Sequence, residues 1–217
     1  MLEMTFIQQL TIWALPILFA ITFHEVAHGW VALRCGDKTA LMLGRLSINP
    51  LNHIDIVGTI IVPGILLMLG GFLFGWAKPV PVNWNNLRKP RRDMMLVALA
   101  GPVANLIMVF FWACLAKLGI YLQISPSAKE ALFMMGLAGI NINLLLLFFN
   151  LIPLPPLDGS KVILSLLPTK LAWHYSRLEN YGLVILFLLL FIGGLNYFLI
   201  PIIKYFSHLI LVLFNLK

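Results

Sequence analysis

Residues 4–30 read MTFIQQLTIWALPILFAITFHEVAHGW. Positions 4–24 carry no Asp, Glu, Lys or Arg, and then a glutamate arrives between two histidines, His24-Glu25-Val26-Ala27-His28. Roughly 20 apolar residues in helical conformation span the hydrocarbon core of a bilayer, so this run is long enough to cross. It also brings three ionisable groups into the apolar phase, which costs several kcal/mol unless they are paired or bind a metal. The same absence of charge recurs over 56–77, 94–116, 131–157 and 180–203. Composition agrees: 61% of the 217 residues are hydrophobic and 11% charged, where a soluble domain carries roughly 25% charged residues. A soluble protein is excluded. The expected fold is an all-α polytopic membrane protein forming a single membrane-embedded domain over 1–217. It has about five transmembrane helices, one re-entrant hydrophobic segment and a small β element.

Turn and breaker residues divide the chain. The first helix is expected over 5–33, with Pro16 as its one internal kink point. Gly36-Asp37 and Asn49-Pro50 mark turns, and 39–48 between them is expected to form short strands. The run 56–76 is interrupted by Pro63-Gly64 and Gly70-Gly71, which suits a hairpin that enters and leaves on one side. Helices follow over 94–118 and 131–151. Pro153, Pro155 and Pro156 end the second, because each removes a backbone donor and disfavours helix before it. A short helix over 158–167 stops at Pro168, a longer one is expected over 169–192, and Gly193-Gly194 turns the chain into a last span ending near Leu216.

The formal charge of +7 does not imply nucleic acid, because basic residues beside membrane helices set topology. With the N-terminus outside, Arg34, Lys38 and Arg45, then Lys78, Arg88, Lys89, Arg91 and Arg92, then Lys161, Lys170 and Arg177 all fall on the cytoplasmic side. Only Lys117, Lys129 and Lys204 lie towards the other. This count requires 56–76 to re-enter and not to cross. The arginine-rich loop is first a topology determinant and second a contact for anionic lipid. Cys35 and Cys114 form no CxxC or disulfide pattern. The N-terminus lacks the basic region of a secretory signal, so the first segment is expected to be retained.

On a helix, residues four apart stack on one face, so the imidazoles of His24 and His28 converge on one point. Zinc takes imidazole nitrogen at ~2.0–2.1 Å, and a catalytic site keeps one position open for water. Glu25, turned about the helix from His24, is placed to act as general base. Two histidines leave the metal one protein ligand short. Asp158, in Pro155-Pro156-Leu157-Asp158-Gly159, is either that ligand or an ordinary helix N-cap. The residues alone leave both readings open. His53 and Asp55 point to a loop role ahead of metal ligation, Asn105 to close helix packing, and His174 and His208 to interfacial packing.

HEVAHG at 24–29 and NLIPLPPLDG at 150–159 together resemble the site-2 protease family of intramembrane zinc metalloproteases. NPLNHIDIVGT at 49–59, GWAKPVPVN at 75–83 and AGPVAN at 100–105 resemble a small bacterial branch of it. The resemblance covers about residues 20 to 170. It implies one zinc ion per chain held by His24, His28 and Asp158, with Glu25 as the base. It also implies that Asn150 holds the developing oxyanion or the substrate backbone, although bracing the broken helix would satisfy that amide equally well. The connection over 118–131 is too short for the peptide-binding domain that larger relatives insert, and nothing after Leu167 resembles a nucleotide-binding module.

The function expected is therefore endopeptidase cleavage within or near transmembrane segments of other membrane proteins. The enzyme would sit as a multi-pass protein in the bilayer of a bacterial inner membrane, with its site nearer the cytoplasmic side. Substrates should carry weak helix formers near the cut, because helical hydrogen bonds shield scissile carbonyls. Two other classes compete: a zinc- or proton-coupled transporter, and an inactive scaffold. A transporter commonly shows paired broken helices, whereas HExxH occurs once here. A scaffold zinc site has no need of Glu25. Substrate identity and oligomeric state are not encoded in any recognisable motif.

Overall fold

The computed structural model describes residues 6–61 and 78–216, and among these every regular element is helical. Helix α1, Phe6–Cys35, is 30 residues long with Pro16 inside it, or ~45 Å at the helical rise per residue. The short α2, Thr39–Met42, follows. Helix α3, Pro90–Tyr121, begins with proline in its first turn, where the missing N–H costs nothing, and Asp93 reaches back to accept from the Lys89 N–H at 2.8 Å. Helix α4, Pro126–Asn150, is capped by the Ser125 hydroxyl. Then come α5 (Asp158–Leu166), α6 (Thr169–Ser176), α7 (Glu179–Phe191) and α8 (Gly194–Leu213).

Helices α1, α3 and α4 pack pairwise into a three-helix core, with α5 against α3 and α8 against α4. The inward faces of α3 and α4 meet in a cluster including Val109, Trp112, Ala116, Ile140 and Leu144. The outward face of α3 carries exposed Val103, Leu106, Ile107, Phe110 and Phe111. An apolar surface on both sides of one helix suits a helix set between protein and lipid. Among the described residues four helices are long and apolar enough to cross a membrane: Thr11–Cys35, Pro90–Tyr121, Pro126–Asn150 and Gly194–Leu213.

Two expectations need correction. The fifth span is missing among the described residues because 169–192 is not one helix. It breaks into α6 and α7, and the 13 residues of α7 reach only ~20 Å against a core of roughly 30 Å. Tertiary contacts hold the break. The Tyr175 hydroxyl donates to the Pro153 carbonyl at 2.8 Å, and Gly182 lies so close to the Pro155 carbonyl that a Cβ would collide with it. The expected β element over 39–48 is also absent, since 39–42 is helical and no strand occurs among the described residues. Asp37 organises this stretch instead. Its carboxylate accepts from the Thr39 N–H and hydroxyl, the Asn83 N–H and the Asn86 amide. Burial disfavours ionising Asp37, but the hydrogen bonds from Thr39, Asn86 and Asn83 outweigh it and hold the carboxyl below its usual range. The re-entrant segment expected over 56–76 lies mostly outside the described residues, which include only its first turn, Ile56–Ile61.

Candidate metal centre

His24 and His28 sit one turn apart on the face of α1 that packs against α3, and both are buried. Asp158 comes from the far side of the break after α4. Residues 151–157 cannot continue that helix, and α5 restarts at Asp158 with Gly159 tucked against the Leu151 and Ile152 carbonyls. A side chain at position 159 would collide with the Leu151 carbonyl and stand 2.6 Å from the Ile152 oxygen. The N-cap position belongs to Leu157, and no side chain caps the helix. Asp158 therefore does not act as the N-cap. Its carboxylate faces the histidines.

The two Nε2 atoms are 3.0 Å apart, and Asp158 Oδ2 is 3.2 Å from each. His28 Nδ1 lies 2.7 Å from the Val97 carbonyl, which can only accept, so the ring proton is on Nδ1 and Nε2 presents a lone pair. His24 Nδ1 lies 2.6 Å from Asn105 Oδ1, with the same consequence. This explains why Asp158 Oδ2 is buried without a hydrogen-bond partner despite two nitrogens at 3.2 Å. With each ring carrying only its Nδ1 proton, three lone pairs converge, an arrangement that repels itself unless a metal ion or a further proton sits between them. A tetrahedral zinc with ligands at ~2.0–2.1 Å would separate those atoms by about 3.3 Å, close to the triangle present. These residues fit the metal.

Glu25 stands outside the trio of ligand atoms. Its Oε2 accepts the Val80 N–H at 2.8 Å. Pro79 and Pro81 flank Val80, so this is the one backbone donor in 79–81. Gly29, the last residue of the HEVAHG stretch, admits this segment: a Cβ there would stand 2.6 Å from Val80 Cγ1 and 2.5 Å from Leu46 Cδ2.

Over 204 residues the chain is 38% identical to YwhC of Bacillus subtilis, named as a proposed zinc metalloprotease, covering 93% of this chain and 90% of that protein. The chain belongs to the YwhC family. Rip2 of Mycolicibacterium smegmatis is 28% identical over 191 residues, 87% of this chain and 70% of that protein. The Synechocystis protein sll0528 is 28% identical over 172 residues, 79% of this chain and 34% of that protein. Both also carry names that propose a zinc metalloprotease, in keeping with the site-2 protease resemblance. No family model and no solved structure matches the chain.

The remaining expected residues divide. In this member of the YwhC family Asn150 ends α4 and its amide donates to the Leu146 carbonyl at 3.0 Å, a bond that braces the last turn before the break. His53 is buried, with Nε2 donating to the Ser47 carbonyl at 2.7 Å, and Asp55 accepts from the Gly58 N–H at 2.7 Å. Both hold loops. His174 donates to Lys170 O within α6, and His208 is exposed on α8. Sequence reasoning missed Asn105, which was assigned to packing and instead touches a candidate ligand. It also missed the Val80 N–H. The available signal for Asn105 was an amide inside an uncharged membrane run, where a buried polar group must find partners.

Proposed function

We propose that the chain is an intramembrane zinc endopeptidase, with His24, His28 and Asp158 as ligands of one zinc ion and Glu25 as general base. The observation that carries this reading is the triangle of lone-pair atoms from two helices, 3.0–3.2 Å on a side, inside a bundle with four apolar helices of membrane-spanning length. Zinc bound there would supply Lewis acidity, polarising a peptide carbonyl and lowering the pKa of water. Glu25, held by the Val80 N–H, takes a proton from the attacking water and returns it to the amine nitrogen as the C–N bond breaks. The packed helices keep bulk water from the polar groups. Asn150, at the end of the broken helix, is placed to hold substrate backbone through the oxygen of its amide.

Residues 1–217 act as a single membrane-embedded unit in this reading, in a bacterial inner membrane with the N-terminus outside. His24 and His28 precede Arg34 by a few turns, which puts the metal on the order of 9–15 Å from the cytoplasmic end of α1. Cleavage then falls in the cytoplasmic half of substrate helices.

The test is Glu25→Gln, purified beside wild type and assayed on membranes containing transmembrane-segment substrates. Wild type should release shortened fragments, and the variant should lose at least ~100-fold in rate while keeping its zinc. Quantitative membrane proteomics of cells carrying each form should show uncut segments accumulating with the variant. Zinc lost together with activity would make Glu25 a ligand, and equal cleavage by both forms would end the proposal.

A further inference from the structure

Four groups outside the candidate ligands decide which way the imidazoles face, and none is given a role by the zinc reading above. Val97, Gly101 and Asn105 are spaced four apart on α3, so they form one row along a single face. Helix α1 runs antiparallel to it, with His28 opposite Val97 and His24 opposite Asn105. Gly101 lies between. A Cβ there would be 2.5–2.6 Å from ring atoms of His24 and would collide with His28 Nε2.

The direction of every hydrogen bond behind His24 is set by a carbonyl that can only accept. Asn143 of α4 donates its Nδ2 to the Gly139 carbonyl at 2.8 Å, which turns its Oδ1 towards Asn105. Asn105 Nδ2 donates to that oxygen at 3.0 Å and to the Ala20 carbonyl at 3.2 Å. Asn105 must then present Oδ1 to His24, so His24 carries its proton on Nδ1 and leaves Nε2 bare. Both asparagines are fully buried. Reversing either amide would set donor against donor or acceptor against acceptor with no water to compensate.

We propose that the Val97–Gly101–Asn105 row, polarised by Asn143, is a positioning device that fixes both histidines in the metal-binding tautomer and orientation before any metal arrives. The proposal rests on the zinc reading of the site and deepens it. Asn105 and Asn143 act through His24, and the Val97 carbonyl acts through His28. Partners of this kind fix a metal-ligating histidine's tautomer, and losing one typically costs 10–100-fold in metal affinity. The competing account is a polar clasp that merely ties three helices together.

The experiment compares zinc affinity by chelator competition in detergent for wild type, Asn105→Leu, Asn105→Asp and Asn143→Leu, with 15N shifts of labelled histidine in the metal-free proteins. Asn105→Leu should weaken zinc 10–100-fold and move His24 out of the pure Nδ1–H tautomer. Asn105→Asp keeps an acceptor for His24 and should restore most of the affinity, although its charge faces the Ala20 and Asn143 oxygens. A clasp predicts the reverse order, with the aspartate at least as damaging as the leucine. Asn143→Leu should fall between wild type and Asn105→Leu, and it carries the test if Asn105→Leu does not fold. Zinc binding unchanged in a folded Asn105→Leu, an aspartate variant as weak as the leucine, or an Nε2–H tautomer at His24 in metal-free wild type would each overturn the proposal. Wild type that binds no zinc while showing the Nδ1–H tautomer would overturn the metal reading and leave the orientation standing.

Discussion

The two halves of α3 use the same device for different ends. In the N-terminal half, Gly101 lets two imidazoles lie against the backbone, with Val97 and Asn105 on either side to hold their protons. In the C-terminal half two glycines of the facing helix do the same: Gly136 of α4 admits Ala116, with a would-be Cβ 2.5 Å from the alanine Cβ, and Gly139 admits the Trp112 ring. Close approach of helices through small residues is common to both, as expected where lipid offers no hydrophobic drive for association. What differs is the cargo. One seam buries polar groups whose hydrogen bonds have direction; the other buries a Trp–Ile–Leu cluster in which the Trp112 indole N–H makes no hydrogen bond among the described residues and packing dominates. A methyl group added to the first seam should therefore strike chemistry, and one added to the second should strike stability.

The largest effect expected from this comparison is at Gly101. Gly101→Ala introduces a Cβ into the space of both rings, which their Nδ1 bonds prevent from swinging away. Alanine is also a better helix former than glycine by about 1 kcal/mol, so the helix itself gains. Zinc affinity should fall by up to ~100-fold and activity with it, while in the metal-free protein the overpacking cost of about 1–3 kcal/mol is partly offset by that helix gain. Elemental analysis beside thermal unfolding in chelator checks both halves of that statement. Full zinc occupancy in Gly101→Ala would break the distinction between the seams.

Legibility in the sequence follows the same division. Uncharged runs announced α1, α3 and α4, because the membrane demands continuous apolar helix from local sequence alone, and the Gly193-Gly194 turn announced α8. His24, Glu25 and His28 stand out as ionisable groups against that background, whereas for Asp158 the residues alone leave ligand and N-cap open and the family resemblance points to the ligand. The break between α6 and α7 was not, since it depends on Tyr175 and Gly182 meeting Pro153 and Pro155, contacts with no local signature. The strands expected over 39–48 failed for a related reason. Gly36-Asp37 was visible as a turn, but the partners that fold it back, Asn83 and Asn86, lie in a separate loop. Asn105 and Asn143 stood in two different uncharged runs, and each buried amide implied a partner. Asn105 reads as close packing and Asn143 draws no reading, because nothing local links amides in two separate runs.

A smaller effect, confined to the polar seam, belongs to Asp158→Asn. Asparagine keeps the shape and loses the charge, so it is a poorer zinc ligand. The expected outcome is clearly weakened zinc binding with no loss of stability in the metal-free form. The absence of any side-chain cap on α5 sharpens this, because a capping role would show itself as ~1 kcal/mol of stability when replaced by alanine. Asp158→Ala and Asp158→Asn should thus unfold alike without metal and both bind zinc weakly. Full zinc binding by the asparagine variant would remove Asp158 from the centre.

The smallest effect on chemistry should come from Gly139→Ala, and it is the substitution that probes whether the halves are independent. The new methyl meets the buried Trp112 ring, so either the ring or the α4 backbone must shift. Overpacking of this kind costs about 1–3 kcal/mol, so the apparent melting temperature should drop. Yet Gly139 also offers the carbonyl that orients Asn143, and through Asn105 that bond reaches His24. If the seam gives way by moving Trp112, the carbonyl stays in place and the folded protein binds zinc within about threefold of wild type. If the α4 backbone moves instead, the amide relay loses its fixed end and zinc affinity falls together with stability. Chelator competition on the folded fraction separates the two. An unchanged zinc affinity supports seams that share a helix and little else. A parallel loss would mean that packing in one half of α3 sets the proton positions in the other.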